Sequence, residues 1–84
     1  MPEKYQYFEV CIGPGPEENE KADFWMCIRT KPGTKPGIAA LTEFLKSDLD
    51  NRPGSKIIGF YLIDEQTARS CYDFSNEPNW PVFA

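Results

Sequence analysis

Three cysteines are the residues in this chain whose chemistry depends most directly on their spacing. Cys11, Cys27 and Cys71 lie far apart and form no Cys-x-x-Cys pair, so a zinc site would require all three to converge with a carboxylate. Packing cysteines in a reducing compartment explain this pattern better. One alternative stays open. Cys11 and Cys27 fall on the same face of two predicted strands, and a suitable register would place them opposite one another, close enough for a disulfide.

The sequence contains no histidine, which removes the commonest general base near neutral pH and the commonest metal ligand. Asp48 and Asp50 point to different sides of a predicted helix, so they do not form an acid/base pair. The segment Gly13-Pro14-Gly15-Pro16 is a poor phosphate loop, because such loops use successive backbone donors and proline has none. We therefore expect a protein that is not an enzyme, with no cofactor and no bound metal.

The formal net charge of -4 over 84 residues argues against direct binding to nucleic acid or to anionic lipid. No run reaches the roughly 18 to 20 apolar residues that a membrane span requires. The N-terminal residues Met1-Pro2-Glu3-Lys4 lack the basic and then apolar pattern of a signal peptide. These features predict a cytoplasmic protein with no membrane contact, folded as a single domain over residues 1–84.

Alternation of apolar and polar residues predicts strands at residues 5–12 and 22–30. The loop between them contains prolines and acidic residues, so the two strands are expected to pair as a hairpin with a long loop. A third strand is predicted at residues 55–63, where both faces are apolar. Because a strand covered on both sides is apolar on both faces, we expect this third strand to be central.

Apolar residues spaced by three and four predict one amphipathic helix from Ile38 to about Asn51. Asp64 is a suitable cap for a short second helix that would turn Ala68, Cys71 and Tyr72 inward. A hairpin continuing through residues 67–74 is the alternative. The tail, residues 75–84, is too apolar at its end to be left in solvent, and we expect it to pack against the domain.

Together these elements predict an α+β fold: a three- to four-stranded, mainly antiparallel sheet with the main helix on one face. The order is ββαβ, followed by a short helix or strand and the packed tail. The predicted core consists of Phe8, Val10, Ile12, Phe24, Met26, Ile28, Ile38, Leu41, Leu45, Ile58, Phe60 and Leu62.

Two groups of residues are candidates for binding a partner. The first is aromatic and lies on the sheet face away from the main helix, where either the short helix and tail or another molecule must cover it. The second is acidic, and its carboxylates could imitate phosphates in a basic groove, although an ordinary solvated surface is the simpler explanation. The aromatic group is Tyr5, Tyr7, Trp25 and Tyr61; the acidic group is Glu17, Glu18, Glu20 and Asp23 in one loop, and Glu43, Asp48 and Asp50 along the helix.

In size, acidity and lack of catalytic apparatus, the chain resembles the small inhibitors and adaptors carried by phages and other mobile elements, including anti-CRISPR proteins. The resemblance implies a non-enzymatic protein-interaction module that acts on a nucleic-acid-binding protein. A homo-oligomer, such as a homodimer whose aromatic sheet faces meet, is the first alternative. The second is a small-molecule binder with Arg29, Tyr61 and Arg69 converging on a pocket between sheet and tail.

Overall fold

The computed structural model describes residues 5–14 and 22–83. In this part of the chain there are four strands: β1 (Gln6–Pro14), β2 (Phe24–Thr30), β3 (Ser55–Ile63) and β4 (Val82–Phe83). The helices are α1 (Ile38–Phe44), α2 (Lys46–Asp50) and α3 (Glu65–Cys71). A short 3₁₀ turn, Glu77–Asn79, precedes β4.

The four strands form one sheet in the order β3-β1-β2-β4. β1 is antiparallel to both β2 and β3, whereas β4 runs parallel to β2. The predicted α+β class is confirmed, but the sheet is mixed rather than antiparallel because the tail contributes a parallel strand. The prediction that the strand at residues 55–63 is central is wrong: β1 is central and β3 lies at an edge.

One face of the sheet, called here the helical face, packs against α1 and α2. Leu41 and Leu45 contact a buried cluster of strand residues that includes Val10 and Ile12. The predicted single helix divides at Leu45, where the backbone leaves helical geometry (φ -102°, ψ 20°). Hydrogen bonds from Leu45 N–H to Leu41 O and from Leu49 N–H to Leu45 O continue across the break, so both helices keep the same apolar stripe toward the sheet.

A β-bulge in β3 changes which isoleucine enters the core. Cys11 pairs with Gly59, but the next residue of β1, Ile12, pairs with Ile57, so Ile58 has no partner on β1. Because one extra residue reverses the side-chain alternation, Ile57 is buried in the core cluster while Ile58 is half-buried outside it. The prediction that Ile58 is the core residue is therefore wrong.

Two other predicted core residues are exposed. Ile38, the first residue of α1, is 46% exposed, and Leu62 on the edge strand β3 is 62% exposed. Phe83, which was not predicted, is buried and meets Phe44 edge to face with ring centroids 5.1 Å apart. The tail thus packs, as predicted, and it completes the core from the C-terminal end of the chain.

The short helix α3 replaces the alternative hairpin at residues 67–74. The Asp64 carboxylate accepts a hydrogen bond of 2.8 Å from the Thr67 N–H, which satisfies one of the free donors at the helix start. Ala68 is fully buried, as predicted, whereas Cys71 is exposed. β1 also extends further than predicted, because Gly13 and Pro14 pair with Lys56 and Ser55 at its end.

The bulge gives a direct stability test. Ile57→Ala removes a buried side chain and should lower the free energy of unfolding by about 3 kcal/mol, measured by urea denaturation. Ile58→Ala is the matched control, and its loss should be clearly smaller because Ile58 is half-buried. Equal losses for the two variants would contradict the bulged register.

Candidate functional site

The sheet face opposite α1 and α2, called here the aromatic face, carries the odd-numbered residues of β1 and β2. The register places Tyr7 opposite Arg29, Glu9 opposite Cys27 and Cys11 opposite Trp25. On the other side of β1, Tyr61 of β3 is opposite Glu9. Alternation therefore brings the predicted aromatic residues of β1, β2 and β3 onto one face.

A buried ion pair holds the tail against one half of this face. The Arg29 guanidinium lies 2.7 Å from the Glu77 carboxylate and donates a second hydrogen bond, of 2.8 Å, to the Trp80 carbonyl. The Tyr7 hydroxyl also reaches Glu77, at 3.3 Å. Both charged side chains are largely removed from water, so the charge of each depends on the other for compensation.

Aromatic rings from the tail cover Tyr7. Phe74 packs on Tyr7 with ring centroids 5.4 Å apart, and Trp80 packs on Phe74 at 4.8 Å. Tyr7 is only 4% exposed, and burial together with the nearby Glu77 raises the pKa of its hydroxyl. Cover by the tail, one of the two alternatives expected for the aromatic residues, therefore applies to Tyr7, which is not exposed to a partner.

The other half of the aromatic face stays open. Trp25 is 50% exposed and Tyr61 is 59% exposed. They lie on strands that flank β1, so roughly 10 Å of sheet separates them. Gly59 leaves room for the Tyr61 ring, whose hydroxyl lies 3.1 Å from the position a Cβ would take on residue 59. Tyr5, at the edge of the covered half, is partly exposed beneath the Arg29 guanidinium.

Two thiols lie on the aromatic face without forming a disulfide. Cys11 faces Trp25 and not Cys27, so the expectation that the two cysteines are opposite one another is wrong; they are diagonal neighbours. Both are free thiols. Burial, with a contribution from Glu9, raises the pKa of Cys11 and raises that of Cys27 to about 11.

Glu9 lies beside these thiols, opposite Cys27, and one of its carboxylate oxygens already accepts a hydrogen bond. The Tyr72 hydroxyl donates a hydrogen bond of 2.6 Å to it. Burial and this hydrogen bond raise the pKa of Tyr72. This hydrogen bond joins the end of α3 to the central strand, so the Glu9 carboxylate helps to hold α3 against the sheet.

Four of the seven acidic candidates lie in the described part of the chain. Glu17, Glu18 and Glu20 lie outside the described residues. Asp23 is exposed and lies 3.5 Å from the Arg52 guanidinium. The three helical carboxylates, Glu43, Asp48 and Asp50, are exposed on the layer that covers the helical face, away from Trp25 and Tyr61.

The edge of β2 is the third feature of the site. β4 pairs only with Arg29 and Thr30, so β2 has no outer neighbour from Phe24 to Ile28 among the described residues. A cleft of about 260 Å³ opens there. Its walls are mainly apolar and come from the strand, the helices and the tail: Met26, Cys27, Ile28, Phe44, Leu45, Asp48, Trp80 and Pro81.

The arrangement expected of a small-molecule pocket does not form. Arg29 is buried in its ion pair, Tyr61 is exposed on β3, and Arg69 pairs with Glu65 on the surface of α3 at 2.8 Å. No group of three potential metal ligands occurs in residues 5–14 and 22–83. No helix in the same residues is long and apolar enough to cross a bilayer.

No family model matches the chain, and no curated protein or solved structure matches it either.

The ion pair that holds the tail is expected to be essential for stability. Glu77→Gln leaves the Arg29 charge buried without compensation and should cost about 3 kcal/mol in the free energy of unfolding. Glu65→Gln removes an exposed helical ion pair and should cost about 0.5 kcal/mol or less. Chemical denaturation of both variants makes the comparison, and a Glu77→Gln protein as stable as the Glu65→Gln protein would refute a structural role for the pair.

The thiols are expected to differ in reactivity. At pH 8 the folded protein should be alkylated quickly at Cys71, which is exposed. Cys11 and Cys27 should react slowly, because burial shields them and their raised pKa values keep them protonated. Mass spectrometry of digests, with urea-unfolded protein as the control, measures the order; fast alkylation of Cys27 in the folded protein would contradict it.

Proposed function

We propose that this protein is a non-enzymatic protein-interaction module and that the open half of its aromatic face contacts the partner. The observation that carries the proposal is the exposure of Trp25 and Tyr61 beside a half that is closely packed. The tail covers Tyr7 with two aromatic rings and leaves the neighbouring aromatic residues bare. Large aromatic side chains held on a rigid sheet are typical of the residues that dominate protein interfaces.

The negative charge of the protein supports a partner with a basic surface. The net charge of -4 favours encounter with a positively charged protein and disfavours nucleic acid itself. Proteins that bind nucleic acid carry basic grooves, so inhibition of such a protein is the role that we propose within this class. Asp23, one residue before β2, places a carboxylate beside the start of the strand that carries Trp25.

Affinity measurements with the aromatic residues removed test the proposal. A partner recovered from a host lysate is purified, and its direct binding to the wild-type protein is measured by calorimetry. Trp25→Ala is expected to weaken binding by about 2 kcal/mol, roughly thirtyfold in Kd. Tyr61→Ala should weaken it in the same direction.

The matched control is Ile38→Ser, which removes an exposed apolar residue from the helical layer. This variant should bind as the wild type does. If no stoichiometric partner is recovered, or if Trp25→Ala and Ile38→Ser bind equally well, the open half of the aromatic face is not the interface.

A homodimer is the second candidate, and the edge strand β3 favours it. β3 is nine residues long and, among the described strands, pairs with β1 alone. It exposes Tyr61 on one face and Leu62 on the other. An uncovered apolar edge of this length is a template for pairing with another copy. Sedimentation equilibrium distinguishes the two functions: a monomer at high concentration removes the homodimer, whereas a dimer that Leu62→Lys dissociates supports it.

A further inference from the structure

We propose that the free edge of β2 binds an extended segment of a partner protein as an added strand, and that this segment alternates apolar and basic residues. The inference rests on the proposed function and specifies its mode: main-chain pairing at the edge, with the apolar cleft selecting side chains. Strand addition of this kind gains affinity from backbone hydrogen bonds and specificity from alternate side-chain pockets.

The backbone of β2 presents free hydrogen-bonding groups at this edge. The Lys31 N–H points outward and donates to the Phe83 carbonyl at 3.2 Å. The Ile12 carbonyl of β1 points toward β2, where it accepts a hydrogen bond of 2.9 Å from the Asp23 N–H just before the strand. Ile12 and the other even-numbered residues of β1 therefore form the hydrogen-bonded pairs with their partners Phe24, Met26 and Ile28. Because backbone groups alternate sides along a strand, Trp25 and Cys27 direct their N–H and C=O groups outward with Lys31, beyond the reach of β4.

On the helical face, the cleft selects which side chains of the added segment can bind. Met26 and Phe44 are among the apolar residues that line it, and Asp48 is the charged residue in that lining. Asp48 forms no salt bridge within the described residues, whereas Asp23 pairs with Arg52. A segment lying along β2 would direct every second side chain to this face. Most of these side chains would be apolar and enter the cleft, and one lysine or arginine among them would lie within reach of Asp48, which offsets the partner's positive charge.

Trp25 supplies the contact on the aromatic face. Successive side chains of an added strand point to opposite faces, so alternate residues of the segment would pass beside the exposed Trp25 ring. A cation above a tryptophan ring is favourable. Apolar residues toward the cleft, with one basic residue among them opposite Asp48, and basic residues toward Trp25 give the alternation that we infer for the occupant.

Selection from a display library of randomised ten-residue segments tests the edge directly. We expect the selected sequences to alternate, with lysine or arginine enriched at every second position and apolar residues at the positions between them, except for one basic residue that lies opposite Asp48. In hydrogen exchange monitored by NMR, the Met26 and Ile28 amides should be protected in the free protein, whereas Trp25 and Cys27 should become protected only when a selected synthetic peptide is added.

Variants locate the same site. Cys27→Pro removes an outward donor and should weaken peptide binding about tenfold, while Cys27→Ser, which keeps the N–H, should not. Asp48→Lys should weaken the basic peptide severalfold, and Asp50→Lys on the same helix, outside the cleft lining, is its control. The exchange measurement uses wild-type protein, so it remains decisive if Cys27→Pro does not fold.

The experiments distinguish a failure of strand addition at β2 from a failure of the proposed function. If no segment is selected, if the selected segments lack basic residues, or if peptide leaves the Trp25 and Cys27 amides unprotected, strand addition is overturned. A purified partner that Trp25→Ala weakens and Cys27→Pro does not would overturn the edge alone and leave the interaction module standing.

Discussion

The ion pair between Arg29 and Glu77 determines how the last part of the chain is arranged. A guanidinium on the sheet cannot be buried without compensation, and the tail brings both a carboxylate and the Trp80 carbonyl to it. From this anchor the chain passes around the edge of β2. Glu77 and Trp80 lie on the aromatic face, whereas Phe83, only a few residues later, is buried in the core of the helical face. One polar contact therefore fixes a tail that serves both faces.

The same anchor explains why the sheet is mixed and why its edge is open. The tail reaches β2 only at Arg29 and Thr30 and runs parallel to it there. A two-residue strand pairs with two residues of the edge, so the first five residues of β2 have no outer strand neighbour in the part of the chain that the structure describes. The shortness of β4 thus accounts both for the covered end of the β2 edge and for its open end. The tail buries Tyr7 and pairs with β2 at Arg29 and Thr30, while Trp25 remains 50% exposed.

Local sequence patterns predicted the elements well, because alternation and helical spacing depend on near neighbours. The strands, the capping Asp64 and the burial of Ala68 are of this kind. The bulge was not predictable, since residues 57 and 58 are both isoleucine and either alternation is consistent with the sequence. The Arg29–Glu77 pair was missed because 48 residues separate its members and no local pattern connects them. β3 was misplaced because its apolar residues on both faces were interpreted as burial, whereas Tyr61 and Leu62 are exposed.

The candidate site also differs from the one predicted, because residues distant in the sequence decide which surfaces lie side by side. Sequence reasoning combined an acidic helix face with an aromatic sheet face, but the sheet separates them. Glu43 and Asp50 lie with α1 and α2 on one side of the sheet, and Trp25 and Tyr61 lie on the other side. The free edge of β2 is where the two sides meet, because a strand added there presents side chains to both faces at once. Asp48 and Trp25 can then contact the same partner segment, which neither face alone would allow.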